Sequence, residues 1–438
     1  MGVKGAAVER AGSDRPARLR HQRDFQLLWV GQAISALGSR VTGIALPLLV
    51  LTATGSPAKT GLAAFAFGLP LLALTLPAGV VIDRWNRRAV MLSADTARLA
   101  ALGSLALALA GGVFSLAQVL AVAFVEGAGY TLFAVAERAS LRHLVPRELL
   151  PAATAQNQVR ESVGLLAGQP LGGLLFSLGR VVPFAFDAVS YLVSLITLLL
   201  IRRPLQDVRT VDERHLGREV VEGLRFLLRQ PFLRTTALLV TGSDLVLNAL
   251  FLTVIVIARE HGASPTEIGL MIAFLGLGGI AGAAVAARLT RLLSLRHTVA
   301  VTMVVPALLV PLLALVHEPV LLGAIYAAMF FLHPTWDASV GTYRLLITPD
   351  RLQGRVQSVS ILLSLGAVPL ASLAIGFLIE AAGSTDAVLT LAAIMGAVAV
   401  AAVLSRAVRE APPPADHEAT DATATATAAA ATPPFAGH

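Results

Sequence analysis

The chain has 438 residues, of which 56% are hydrophobic and only 14% charged, and its mean hydropathy of +0.75 lies far above that of a water-soluble domain. Lys and Arg outnumber Asp and Glu by 34 to 27, and there is no Cys. That composition argues against a soluble protein and rules out disulfides, Cys-ligated zinc, iron–sulfur clusters and thiol catalysis.

Residues 1–24 carry Lys4, Arg10, Arg15, Arg18, Arg20 and Arg23 with no apolar run before Phe25. They read as a basic cytoplasmic arm and not as a cleavable signal peptide. From Phe25 onward, apolar runs long enough to cross ~30 Å of hydrocarbon alternate with Pro, Gly and Arg clusters, and twelve transmembrane helices are expected. Six fall within 25–201: Phe25–Leu51, Gly61–Ile82, Ala89–Gly111, Leu116–Ala136, Ala152–Leu178 and Val181–Ile201. Residues 202–234 form a linker in which Val220, Val221, Leu224, Leu227 and Leu228 share one helical face, with Arg218, Glu219, Glu222, Arg225 and Arg229 opposite. Such a helix lies in the membrane interface or is a solvated linker. The second set, within 235–405, is Thr235–Ala258, Thr266–Ala287, Thr298–Val316, Val320–Trp336, Val356–Glu380 and Ala387–Leu404. Residues 406–438 turn to Ala, Thr, Pro and Asp from Ala411 on and read as a disordered cytoplasmic tail.

Cytoplasmic loops retain Lys and Arg. The basic residues gather in the first arm, in the central linker and in the loops after even-numbered spans, leaving Lys59, Arg180 and Arg259 for the other side. Both termini are therefore expected in the cytoplasm and the protein in the cell (inner) membrane. The asymmetry accounts for a pI near 10.6 without a nucleic-acid partner.

The two sets of six echo each other. The loop LVPRELLPAATAQ (144–156) resembles ITPDRLQGRVQSV (347–359), and each leads into a Pro-containing helix, with Pro170 in the first set and Pro369 in the second. Six-helix repeats let one half rock against the other around a central site. The expected fold is an all-α membrane protein of two pseudo-symmetric six-helix halves.

At the end of the second span, Gly79-x-x-x-Asp83-Arg84-x-x-Arg87-Arg88 resembles the loop signature of the major facilitator superfamily. Asn86 stands in place of the usual Gly and is read as able to take the left-handed turn. The opening segment His21–Val50, with LVPRELL and ITPDRLQGRV, is similar to the subgroup containing the enterobactin exporter and macrolide-efflux proteins. The resemblance covers roughly residues 20 to 405. It implies a secondary transporter, an efflux permease exporting a drug, siderophore or other secondary metabolite by alternating access, driven by an ion gradient with H+ as the expected coupling ion. An uptake permease for a small solute, or a transporter-like membrane sensor that does not turn over substrate, are the alternatives. A monomer is expected. Gly79, Asp83, Arg84, Arg87 and Arg88 are expected to act as a conformational latch, pairing with helix ends or Glu137, with Asp95 and Arg98 extending the network. The run Gly164, Gly168, Pro170, Gly172, Gly173 is similar to the family's antiporter motif, a helix bend controlling leak; ordinary close packing is the other reading. The fourth span keeps Glu126-Gly127-x-Gly129 of the proton-linked motif but has Ala123 where its Arg would fall.

Charges at bilayer depth are functional candidates by default. Arg40 and Glu126 fall near the midplane of spans that the resemblance places around the cavity, and a central Arg40–Glu126 pair is expected, either coupling or structural. Asp244 and Asn248, one turn apart, face the same way. His333, Trp336 and Asp337 are expected toward the cytoplasmic end of the tenth span, and Asp187 is expected as a packing feature near the outer end. No enzyme is expected. Gly276-x-Gly278-x-x-Ala281 fits a dinucleotide fingerprint only formally, lying within an apolar span with no preceding strand. There is no phosphate-binding Walker loop, the nine His residues show no metal-ligand spacing with carboxylates, and no cofactor is implied.

Overall fold

The computed structural model describes residues 19–206 and 216–410, and within them the side chains of Leu76, Val80, Asp83 and residues 216–219 are not described. The expected arm up to residue 18 and the tail from residue 411 lie outside the described residues.

Helix starts follow local chemistry. The helix α1 (Arg23–Thr54) ends at Gly55, whose φ of 65° places it in the left-handed region that Gly enters without a Cβ penalty. Ser56 then caps α2 (Pro57–Arg84) with Pro at its first position. Asn86 caps α3 (Arg87–Ala110), accepting from the amides of Arg88 and Ala89 at φ −68°; it is an extended N-cap and not the left-handed turn expected of it. Ser115 caps α4 (Leu116–Leu144), and α5 (Leu150–Leu178) and α6 (Val182–Leu200) complete the first half. After the linker helix α7 (Leu216–Arg229) come α8 (Pro231–Glu260) and α9 (Pro265–Leu292). Next, α10 (Leu295–Leu309) tightens into a 3₁₀ turn at Val310–Ala314, and α11 (Pro319–Phe330) breaks before α12 (His333–Ile347). Last come α13 (Asp350–Leu404) and the short α14 (Arg406–Arg409).

Ten of these segments are long and apolar enough to cross a membrane. The 55-residue α13 would be ~80 Å long if straight, but Gly383 at φ 88° breaks it. Its second arm returns along α8, with Ser384 Oγ donating to Glu260 at 2.5 Å and Val398 meeting Gly242 further down. It therefore supplies two spans. The 29-residue α5, diluted by Arg160 and Glu161, is the twelfth. The tenth span is longer than expected: α11 and α12 together run from Pro319 to Ile347, so His333 and Asp337 sit in mid-span and not near its end.

In the first half α1 packs between α5 and α6, and α3 between α4 and α6; in the second, α8 packs on α13, and α9 on α11 and α12. The halves meet along α2 with α13 and α5 with α9. Both seams use the same string, Ser56-Pro-x-x-x-Gly61 and Ser264-Pro-x-x-x-Gly269. Gly61 lies against the Ser372 carbonyl and Gly376, and Gly269 against the Gln169 carbonyl and Gly173, at separations that no Cβ would permit. These contacts lie at the end away from the basic loops, whereas Gly79 at the basic end of α2 has no such neighbour. Large apolar side chains such as Leu107 (76% exposed) and Leu178 (70%) face outward, as hydrocarbon requires.

Candidate transport site

Polar side chains that a bilayer would otherwise reject are gathered at two places, one in each half. In the first half, Arg98 on α3 donates from Nε and Nη2 to Glu126 Oε2 on α4 at 3.2 and 3.0 Å. The Tyr191 hydroxyl on α6 donates to the same oxygen at 2.8 Å, and the guanidinium lies over the Tyr191 ring, 4.1 Å from its centroid. Arg98 Nη2 also reaches Ser39 Oγ on α1 at 3.0 Å. Gly129 makes room for the stem, because a Cβ there would strike Arg98 Cγ and Cδ. Two further buried carboxyls stand near. Asp187 accepts from Thr42 at 2.6 Å and Ser190 at 2.9 Å, and Asp95 accepts from Ser194 at 2.6 Å. Glu126 Oε1 and Asp95 Oδ1 are buried without a hydrogen-bond partner.

The expected Arg40–Glu126 pair is not formed. Arg40 lies 3.6 Å from Glu161 on α5, both about 40% exposed, while Glu126 is buried with Arg98. The reason is helix order: α3 and α4 are packed neighbours, whereas Arg40 leans on α5, its stem against Gly168. Glu137, expected to meet the latch, is instead held by Arg160 at 2.6 and 3.3 Å. Arg40, Arg98, Glu137 and Arg160 line a cavity of about 440 Å³ between α1, α4 and α5 that extends to Arg138 and Leu141 at the basic end.

The latch segment divides. Arg87 is buried and donates to the carbonyls of Ala139 (2.9 Å) and Leu205 (3.1 Å), and Arg88 to that of Leu199 (2.7 Å). These contacts tie the start of α3 to the ends of α4 and α6. Arg84 is exposed, and the Asp83 side chain lies outside the described residues. In the α5 glycine run, Gly168 and Gly172 admit α1 through Arg40, Val41 and Ile44, and Gly173 admits α9 through Pro265 and Gly269; Gly164 meets only Ala36, at 4.0 Å. Pro170 lies inside the helix.

In the second half a cavity of about 320 Å³ is lined by Asp244 and Asn248 of α8 and by Tyr326, Phe330 and His333 of the tenth span. Asn248 donates to the Asp244 carbonyl at 2.8 Å, and His333 Nδ1 lies 3.3 Å from Asp337. Trp336 does not join them. With Val340 and Tyr343 it forms the buried face of α12, and it lines a separate small cavity with Leu233 and Val240 of α8. His333 and Asp337, one turn apart, take the other face. Asp187, expected as a packing feature, is buried and hydrogen-bonded to Thr42 and Ser190, and Arg98, not Arg40, holds Glu126; the signal in the sequence was three carboxyls and one guanidinium at bilayer depth on α3, α4 and α6.

Two six-helix halves joined at α2–α13 and α5–α9, each with a polar cavity, have the architecture of the major facilitator type. The chain belongs to the transmembrane secretion effector family of that superfamily, whose model matches residues 16–430. It is 30% identical over 397 residues to the multidrug efflux pump Tap of Mycolicibacterium fortuitum, covering 85% of this chain and 93% of that protein. It is 28% identical over 244 residues to macrolide efflux protein A of Streptococcus pyogenes, covering 52% of this chain and 57% of that one. Among solved structures it resembles the nucleoside transporter NupG, with a TM-score of 0.71 at 12% identity over 88% of this chain and 99% of that chain. It also resembles a bacterial homologue of the iron transporter ferroportin in an inward-facing state, with a TM-score of 0.65 at 15% identity over 86% and 99%. At those identities the structures speak for the fold alone. The chain is thus a multi-pass secondary transporter of an efflux subgroup that takes a small-molecule substrate.

Proposed function

We propose that this protein exports a small apolar or amphipathic molecule, such as a drug or secondary metabolite, out of the cytoplasm by alternating access driven by the proton gradient, acting as a monomer in the inner membrane with both termini cytoplasmic. The names of the efflux relatives support the direction, and the basic loops support the orientation. The observation that carries the coupling is the cluster of Asp95, Glu126 and Asp187, all at most 2% exposed, around the single guanidinium of Arg98. One cation cannot balance three carboxyls away from water, so the cluster is balanced only when protons make up the difference.

A proton arriving at Glu126 weakens its hold on Arg98, which already touches Ser39 at the wall of the first-half cavity. The guanidinium then turns toward that cavity, and α1, α3 and α4 shift relative to one another. Moving one charge across 100 mV supplies ~2.3 kcal/mol for this cycle. Halves joined at the far end and a cavity reaching the basic end support a resting shape open to the cytoplasm. The Gly79–Arg88 segment then acts as a latch for the opposite shape.

The test is flux into everted membrane vesicles with an imposed pH gradient, using a panel that includes a macrolide. Gradient-driven accumulation by wild type and its loss in Glu126→Gln, with unchanged amounts of folded protein, is the expected result. Accumulation that ignores both the gradient and the substitution would refute proton coupling through Glu126.

A further inference from the structure

The tenth span is interrupted in the middle of the bundle. The helix α11 stops at Phe330, two residues are in a turn, and α12 restarts at His333 with Pro334 in its first turn. Proline lacks the amide that would continue the ladder. Interrupted spans at mid-depth are tolerated where the freed backbone lines a cavity, and the second-half cavity sits at this break, with Phe330 and His333 on either side of it. The C-terminal end of α11 and the N-terminal end of α12 meet at the break, so their dipole ends oppose each other there and side chains set the charge of the cavity.

The charge of this cavity is one-sided. Asp244 lines it, Asp337, outside the lining, pairs with His333, and among the described residues lining it there is no Lys or Arg. A charged His333 would neutralise one carboxylate and leave the other. Arg344, the next cation on α12, lines the separate cavity that holds Trp336. The walls are aromatic: Tyr326 and Phe330 meet edge to face at 5.4 Å between centroids, and Phe330 lies parallel to the His333 ring. The Tyr326 hydroxyl is spent on the Leu247 carbonyl at 2.9 Å, so its ring and not its oxygen meets the cavity.

We propose that this second-half cavity is a binding site for an organic cation, a protonated amine or quaternary centre carried on a ring system. Asp244 is the counter-ion, Asn248 is a polar neighbour, and Phe251 and Phe330 are faces for cation–π contact. A volume of about 320 Å³ takes one ring-bearing head and not a whole large molecule. The proposal rests on the efflux reading only in making that cation the cargo.

The test is equilibrium binding of radiolabelled tetraphenylphosphonium to the purified full chain in detergent, with binding of the isosteric anion tetraphenylborate measured in separate samples. Saturable binding of the cation, weakened at least tenfold in Asp244→Asn, with no saturable binding of the borate, is the expected result. Because the chain has no Cys, a second measurement is independent of that variant's folding: Asn248→Cys should react with a cationic thiol reagent faster than with an anionic one, and tetraphenylphosphonium should slow the reaction. Absence of cation binding, equally tight binding of the borate, or cation binding indifferent to Asp244→Asn together with no protection at position 248 would overturn the site. Intact binding without gradient-driven flux in vesicles would uphold the site and overturn the transport reading instead.

Discussion

Glu380 of the second half caps a helix of the first. Its Oε2 accepts from the Ser56 hydroxyl and, at 3.0 Å, from the Ala58 amide, placing a carboxylate on the N-terminus of α2. The pseudo-equivalent α9 is capped within its own sequence, Glu267 accepting from the Ser264 amide at 2.7 Å, whereas α2 has Lys59 at that position. One half therefore completes its helix start only when the other half is seated against it.

This cross-half cap should act as a closure for the far end. Glu380→Gln keeps the shape and removes the charge, and should raise the rate at which a Cys placed at the buried Ser372 reacts with an external charged thiol reagent by severalfold. An unchanged rate would show the cap to be mere decoration of the seam.

The second seam can be locked covalently. Ser177 and Thr266 oxygens lie 2.9 Å apart across α5 and α9, so Ser177→Cys with Thr266→Cys in this Cys-free chain should form a disulfide on oxidation. Transport should stop on oxidation and return with reductant. Continued transport in the cross-linked form would mean that the far end need not open here.

The Arg98–Glu126 pair should show the asymmetry of buried ion pairs. Arg98→Met leaves Glu126, Asp95 and Asp187 buried without a cation and should cost about 3–5 kcal/mol, while Glu126→Gln keeps the guanidinium beside the other two carboxyls and should cost much less. Denaturation of the purified protein in detergent measures both, and equal losses would contradict this account.

The glycines should separate by surroundings. At Gly172 a Cβ would meet Ile44 and the backbone of Val41, and at Gly173 the Pro265 carbonyl, so Gly173→Val should prevent accumulation of folded protein. Gly79→Ala meets nothing within 4 Å and should melt like wild type. If the latch reading holds, its turnover falls all the same, because the opposite shape brings that surface into contact.

How far the sequence could be read depends on the range of the interaction concerned. Span number, helix starts and the amphipathic face of α7 follow from hydropathy, Ser-Pro caps and periodicity, all settled within a few turns of the same chain. Even there, a single break escaped it: Phe331 and Leu332 are as apolar as their neighbours, so the interruption of the tenth span left no trace in hydropathy, and His333 and Asp337 seemed to lie near its end.

Partner choice was decided elsewhere. Arg40 and Arg98 are both arginines at bilayer depth, and nothing local distinguishes which of them meets Glu126. The packing of α3 on α4, with Gly129 opening a groove for the Arg98 stem, gave Glu126 to Arg98, and Gly168 seated Arg40 beside Glu161. Likewise Glu380 and Ser56 are 324 positions apart, and only the docking of one half on the other brings them together. The sequence by itself determined that the chain crosses the membrane twelve times and which helices carry charge into it. The tertiary structure decided which charges neutralise each other, because in a medium without water a buried charge is balanced by whatever neighbour packing delivers, however distant along the chain.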